Sequence, residues 1–285
     1  MPARTVRLEV SDHSRDAAGL RYVYPVVSRR AGGVSVGINL NPNNKCNWRC
    51  IYCQVPGLGR GNAPKIDLAL LRAELHGFLR ELLSGDFMRE RVPEGARQLA
   101  DIAISGNGEP TSARALPEVV ESIGEAMAEF DLAGTVKLTL ITNGSLVGRD
   151  YVQRGLALLA RHGGEAWFKF DRALPASRRF VNGTPLSNAK IAENLATTAG
   201  LCPTWLQTCV FALDGEPPDR AERDAYLAFL DSVLPGAPIR GVLLYGLARP
   251  SLQPEARRLS RLPAAWLEEF AAEIRKSKIA VRVNP

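Results

Sequence analysis

Short apolar runs and longer amphipathic runs alternate from Val34 to the end of the chain. Residues 34–40 alternate as a strand and are broken by Asn41-Pro-Asn-Asn. Leu68, Leu71, Leu75, Phe78, Leu79 and Leu82 then recur at helical spacing, with Asp67 standing where a cap belongs. The beat repeats: strands over 99–105, 136–141, 166–170, 205–213, 239–244 and 279–283, helices over 116–130, 151–161, 188–198, 221–233 and 264–276. Six βα repeats predict a parallel sheet, because parallel neighbours need a crossover of this kind. Eight repeats close a full barrel, so six predict an α/β fold with an incomplete (β/α)6 TIM-like barrel over residues 34–285; a flat doubly wound sheet is the alternative. Residues 1–33, punctuated by Gly19 and Gly32-Gly33, form an N-terminal extension in which Tyr22, Tyr24 and Val26 alternate as an edge strand.

In such a fold the loops after the strands gather on one face, and that face carries the site. The segments that follow strands are the loop after Asn44, then 106–111, Asn143-Gly144, Lys169 to Asp171, Cys209 onward and 245–250. Ordinary turn chemistry also favours Gly, Asn and Asp at such places. Ser105-Gly-Asn-Gly-Glu-Pro-Thr111 stands out: Gly106 and Gly108 let the backbone approach a ligand, and Glu109 offers a carboxylate to an ammonium group.

Of the 285 residues, 46% are hydrophobic and 23% charged, the balance of a globular protein with a sizeable core. No apolar run is long enough to span a bilayer and the first residues lack a signal-peptide core, which predicts a cytoplasmic protein with no membrane partner. The net charge of +6 admits an anionic partner. The basic pairs Arg29-Arg30, Arg178-Arg179 and Arg257-Arg258 are dispersed, however, and no basic stripe is interleaved with aromatics, so nucleic acid is not favoured.

The five cysteines are odd in number, and three fall within eight residues, Cys46-Asn-Trp-Arg-Cys50-Ile-Tyr-Cys53. Thiolates so spaced bind soft metals, and two solutions stand open. A structural zinc takes a fourth protein ligand, for which His13, His76, His162, Cys202 and Cys209 are the candidates. A [4Fe–4S] cluster held by Cys46, Cys50 and Cys53 leaves one iron without a protein thiolate.

Cys-x3-Cys-x2-Cys with Tyr52 before the last cysteine resembles the signature of the radical S-adenosylmethionine (SAM) superfamily. In that family the open iron is chelated by SAM, and an electron from the cluster splits the sulfonium into methionine and a 5′-deoxyadenosyl radical. The resemblance implies a [4Fe–4S] cluster, SAM, an electron donor such as flavodoxin or ferredoxin, and hydrogen abstraction from an unidentified substrate. Asn107-Gly108-Glu109, after Gly106, occupies the place of the family's Gly-Gly-Glu motif, which holds the amino group of SAM. By the same resemblance Tyr52 contacts the adenine, Asn143 lies near the ribose or the methionine end, and Lys169 and Asp171 meet the ribose and the carboxylate. Cys209 is either a hydrogen donor to a substrate radical or a small buried hydrophobe; Gln207, Tyr245 and Arg249 are candidate substrate contacts.

Ser105–Thr111, Trp167-Phe-Lys-Phe-Asp171 and Leu244-Tyr-Gly-Leu-Ala-Arg-Pro250 are similar to the branch related to wyosine synthases, which build a tricyclic base on tRNA. Residues 1–45 contain no cysteine for the second cluster of those enzymes. A tRNA base-modifying enzyme and a zinc-stabilised binding protein without turnover are the rival expectations.

Overall fold

The alternation of apolar and amphipathic runs becomes an open, strongly curled eight-stranded sheet, a half-barrel, in the computed structural model, which describes residue 8 and residues 18–28 and 32–285. Most of the expected N-terminal extension, including Arg29-Arg30 and His13, lies outside the described residues. The strands, in chain order and in spatial order alike, are β1 (Val23–Ser28), β2 (Gly33–Ile38), β3 (Leu99–Ile104), β4 (Lys137–Thr142), β5 (Glu165–Lys169), β6 (Thr204–Cys209), β7 (Gly241–Tyr245) and β8 (Val281–Asn284). Each pair from β2 to β8 is parallel. The alternating segment at Tyr22 to Val26 is an edge strand, β1, antiparallel to β2.

Helices α1 (Leu68–Ser84) and the short α2 (Phe87–Arg91) cross from β2 to β3, α3 (Leu116–Glu129) from β3 to β4 and α4 (Asp150–Arg161) from β4 to β5. Next, α5 (Pro175–Asn182) and α6 (Asn188–Leu201) lead to β6, α7 (Arg220–Val233) to β7 and α8 (Ala264–Arg275) to β8. Asp67 caps α1 as its position predicts, its side chain accepting from the amide of Leu70. The helices seal one face of the sheet in two apolar clusters. One joins β1–β4 to α1, α3 and α4 through residues such as Ile102, Leu140 and Leu156; the other joins β6 and β7 to α6–α8 through Leu206, Leu230 and Phe270.

Two features depart from the expected pattern. The apolar run 205–213 is not one strand: β6 stops at Cys209, and Ala212–Leu213 pairs antiparallel with Leu259–Ser260. The flanking strands end at Lys169 and Tyr245, so the parallel ladder has no partners to carry it further. Helix α5 was not expected, although Pro175 stands at its start and Gly183 ends it in the left-handed region at φ 63°.

Candidate active site at the strand ends

The cysteine loop leaves the end of β2 through a polar turn and is closed on itself where Lys45–Cys46 pairs with Gly59–Arg60. Asn39 and Asn41 build the turn: Asn39 Oδ1 accepts from the amides of Asn41 and Asn107, and Asn41 Nδ2 donates to the carbonyl of Lys45. Two distant segments then clamp the loop. The amides of Arg49 and Ile51 donate to the carbonyls of Asn182 and Val181 at the end of α5. From the other side, Leu252 N, Ser251 Oγ and Gln253 Nε2 donate to the carbonyl of Cys53. Ile51, Val181, Cys209, Phe211 and Leu247 fill the space beneath as a small apolar core.

Cys46, Cys50 and Cys53 all line one cavity of about 520 Å³. Cys46 Sγ accepts from the Trp48 amide at 3.4 Å, and Cys50 Sγ from Asn182 Nδ2 at 3.4 Å. Burial pushes both thiols up to about 12, with Glu109 adding to the effect at Cys46. Among the described residues no three His, Cys, Asp or Glu side chains are grouped so as to hold one metal ion.

Glu109 does not reach into the cavity as a free carboxylate. Its Oε1 accepts from Thr111 N (3.1 Å), Thr111 Oγ1 (2.6 Å) and Thr142 Oγ1 (2.6 Å), and its Oε2 from Asn143 N (2.7 Å). The carboxylate therefore ties the loop after β3 to the end of β4. Gly108 is required by a neighbouring backbone: a Cβ there would stand 2.1 Å from the carbonyl of Lys45. The glycine lets the cysteine loop, and not only a ligand, come close. Asn107 points away from the cavity, its Nδ2 donating to Asn44 Oδ1 at 2.6 Å.

At the end of β5 the side chains of Lys169 and Asp171 divide. Lys169 lines the cavity, donates to Tyr245 Oη at 3.0 Å and lies 5.2 Å from the centre of the Tyr52 ring. It belongs to no ion pair among the described residues. Asp171 is turned inward, where its carboxylate accepts from Tyr52 Oη, from Asn182 Nδ2 (2.6 Å) and from the amide of Cys209 (2.8 Å). Burial first, then the neighbouring Asp171, raises the Tyr52 phenol and keeps it a proton donor.

Thirteen of the fifteen residues singled out in the sequence thus open on one cavity, and Asn107 and Asp171 stand behind its wall. Gly106, Asn143, Gln207, Cys209, Tyr245 and Arg249 are among the thirteen. Four supporting residues were not singled out: Asn47, which accepts from Asn143 Nδ2 at 2.8 Å, Thr111 and Thr142 on Glu109, and Asn182. Only Asn182 had a usable signal, the Asn-Gly pair that ends a helix.

No protein-family model matches the chain. It is 29% identical over 136 residues to the GTPase Obg of Brachyspira hyodysenteriae, a stretch that is 47% of this chain and 17% of that protein. It is 26% identical over 224 residues to UPF0026 protein slr1464 of Synechocystis sp., covering 75% of this chain and 72% of the other. Among solved structures, a radical SAM methyltransferase from Sphaerobacter thermophilus superposes with a TM-score of 0.56 at 15% identity, over 92% of this chain and 68% of that one. At that identity the likeness is one of architecture: this chain shares the open, curled α/β fold of that protein.

Proposed function

We propose that the chain is a radical SAM enzyme that binds a [4Fe–4S] cluster at Cys46, Cys50 and Cys53 and SAM beside it. The observation that carries this reading is that all three cysteines, Gly106, Gly108 and the ends of β4 to β7 line one cavity. The donor set fits the group: cluster thiolates sit on three different irons and need not converge on a point as ligands of a single ion do. When bound, cluster and SAM supply one-electron cleavage of the sulfonium and abstraction of a hydrogen atom from substrate.

The rest is the work of the chain. The Trp48 amide and Asn182 offer N–H groups to two of the sulfurs, a contact that tunes an iron–sulfur centre. Glu109 fixes the strand-end loop, whose backbone at Gly106 and Gly108 would take the amino group of SAM. Lys169, which donates to Tyr245, would take the carboxylate. Asn143, held by Asn47, would take the ribose, and Tyr52, its hydroxyl anchored on Asp171, the adenine. Gln207, whose side chain bonds to no other described residue, lines the remaining wall with Tyr245 and Arg249, and we assign that wall to the substrate. Cys209 shares it as a candidate hydrogen donor.

Anaerobic reconstitution tests the reading. The expected result is about four irons and four sulfides per chain, with 5′-deoxyadenosine released on reduction with SAM; Cys50→Ala loses both. One tightly held zinc per chain and no nucleoside would overturn it in favour of a zinc-stabilised binding protein. A tRNA substrate, as in the wyosine-related branch, is the finer alternative; the charge of +6 admits it, and salt-sensitive copurification of tRNA would support it.

A further inference from the structure

Among the described residues four large apolar side chains are exposed, and two of them, Phe180 at 42% and Leu252 at 57%, flank the cysteine loop from opposite clamps. Phe180 lies in α5, two residues before the Asn182 whose carbonyl bonds Arg49; the amide of Leu252 bonds the carbonyl of Cys53. The ground between them is basic. Arg49 is paired with Glu255 at 2.9 Å, and Arg258 is paired with Asp214 and lies 5.2 Å from the centre of the Phe180 ring. Arg60 donates to the carbonyls of Asn47 and Gly183. Arg60, Arg179 and Arg257 are exposed and belong to no ion pair among the described residues, so the patch keeps an excess of positive charge.

A surface of exposed apolar side chains within a cationic rim is that of a protein interface, and its charge selects an acidic partner. We propose that this face, on the outside of the cysteine loop, is the docking surface for an acidic one-electron carrier protein. The proposal rests on the cluster assignment above. The carrier loses one electron, the cluster gains it, and no bond of the chain is made or broken. Leu252 bonds Cys53 directly, and Phe180 stands two residues from Asn182, which bonds Cys50 Sγ, so a carrier seated there meets the segments that hold the thiols.

The test separates docking from chemistry. Binding of an acidic flavodoxin to the reconstituted protein is measured by calorimetry at two ionic strengths, and SAM cleavage is driven either by that flavodoxin or by dithionite. In Arg179→Glu/Arg257→Glu, binding weakens roughly tenfold or more at low salt and most of its salt dependence disappears. In Phe180→Ser/Leu252→Ser it weakens at both salt concentrations. Flavodoxin-driven cleavage falls in parallel, and dithionite-driven cleavage and iron content stay at the parent level. Parent-level binding and salt dependence in both double variants would overturn the proposal, as would binding of tRNA in place of flavodoxin that the same charge reversals abolish. No cleavage with dithionite in the parent protein would instead remove the cluster reading on which the proposal stands.

Discussion

Glu109 shows how much a single buried side chain organises. Its carboxylate accepts four hydrogen bonds from two strand ends, yet burial outweighs them and raises its pKa above 4.5. The folded chain therefore holds that proton more tightly than the unfolded chain. Its contribution to stability is complete below about pH 4.5 and declines as the pH climbs through the raised value. Glu109→Gln removes this slope. It also sets an amide NH2 against donors of Thr111, Thr142 or Asn143, and we expect a loss of about 1–3 kcal/mol in denaturant melts near neutral pH. A variant as stable as the parent, with the slope intact, would show that the carboxylate does not hold the loop. The presence of Glu109 in a strand-end loop was legible in the sequence; the direction of its carboxylate was not. That direction depends on Thr142 and Asn143, which are distant in sequence and come beside it only when β3 and β4 pair.

At the scale of the element, the periodicity of apolar residues gave strands and helices close to those found, because the strands pack one face against the apolar sides of amphipathic helices. Where it failed, the cause was local. The run 205–213 carries no Gly, Pro, Asn or Asp to break it, and its end as a strand is set by the lengths of β5 and β7. Helix α5 is short and carries two adjacent arginines, so no apolar stripe announces it. Its C-terminus nevertheless supports the cysteine loop and brings Asn182 to Cys50. The packing of that loop against the one after β3 gives a direct prediction. Gly108→Ala forces the carbonyl of Lys45 away, and we expect about 1–3 kcal/mol of destabilisation together with reduced retention of iron after desalting. Retention at the parent level would mean that the two loops are not packed as described.

Across the whole molecule, one continuous sheet runs through two apolar clusters, so the halves share a single strand ladder. Leu156→Ala and Leu230→Ala, each at a fully buried position in a different cluster, should cost about 2–5 kcal/mol apiece. Their effects should add in the double variant, since the residues share no cluster. Urea melts followed by fluorescence and by far-ultraviolet dichroism should coincide in a single transition. Two separated transitions would contradict a shared sheet. The half-barrel itself was legible from six βα repeats and the right-handed crossover rule. The meeting of its loops was implied by topology alone; Gln207, Tyr245 and Arg249 were candidates by their place at strand ends, and their spacing carries no signature of what they would bind.

The clamps on the cysteine loop have a consequence for biosynthesis. One arrives with residues 181–182 and the other with residues 251–253, so a growing polypeptide carries its three thiols on an unsecured loop until residues 200 positions beyond Cys53 have been made. A group shared by the three thiols would therefore meet its final geometry only once both clamps have closed.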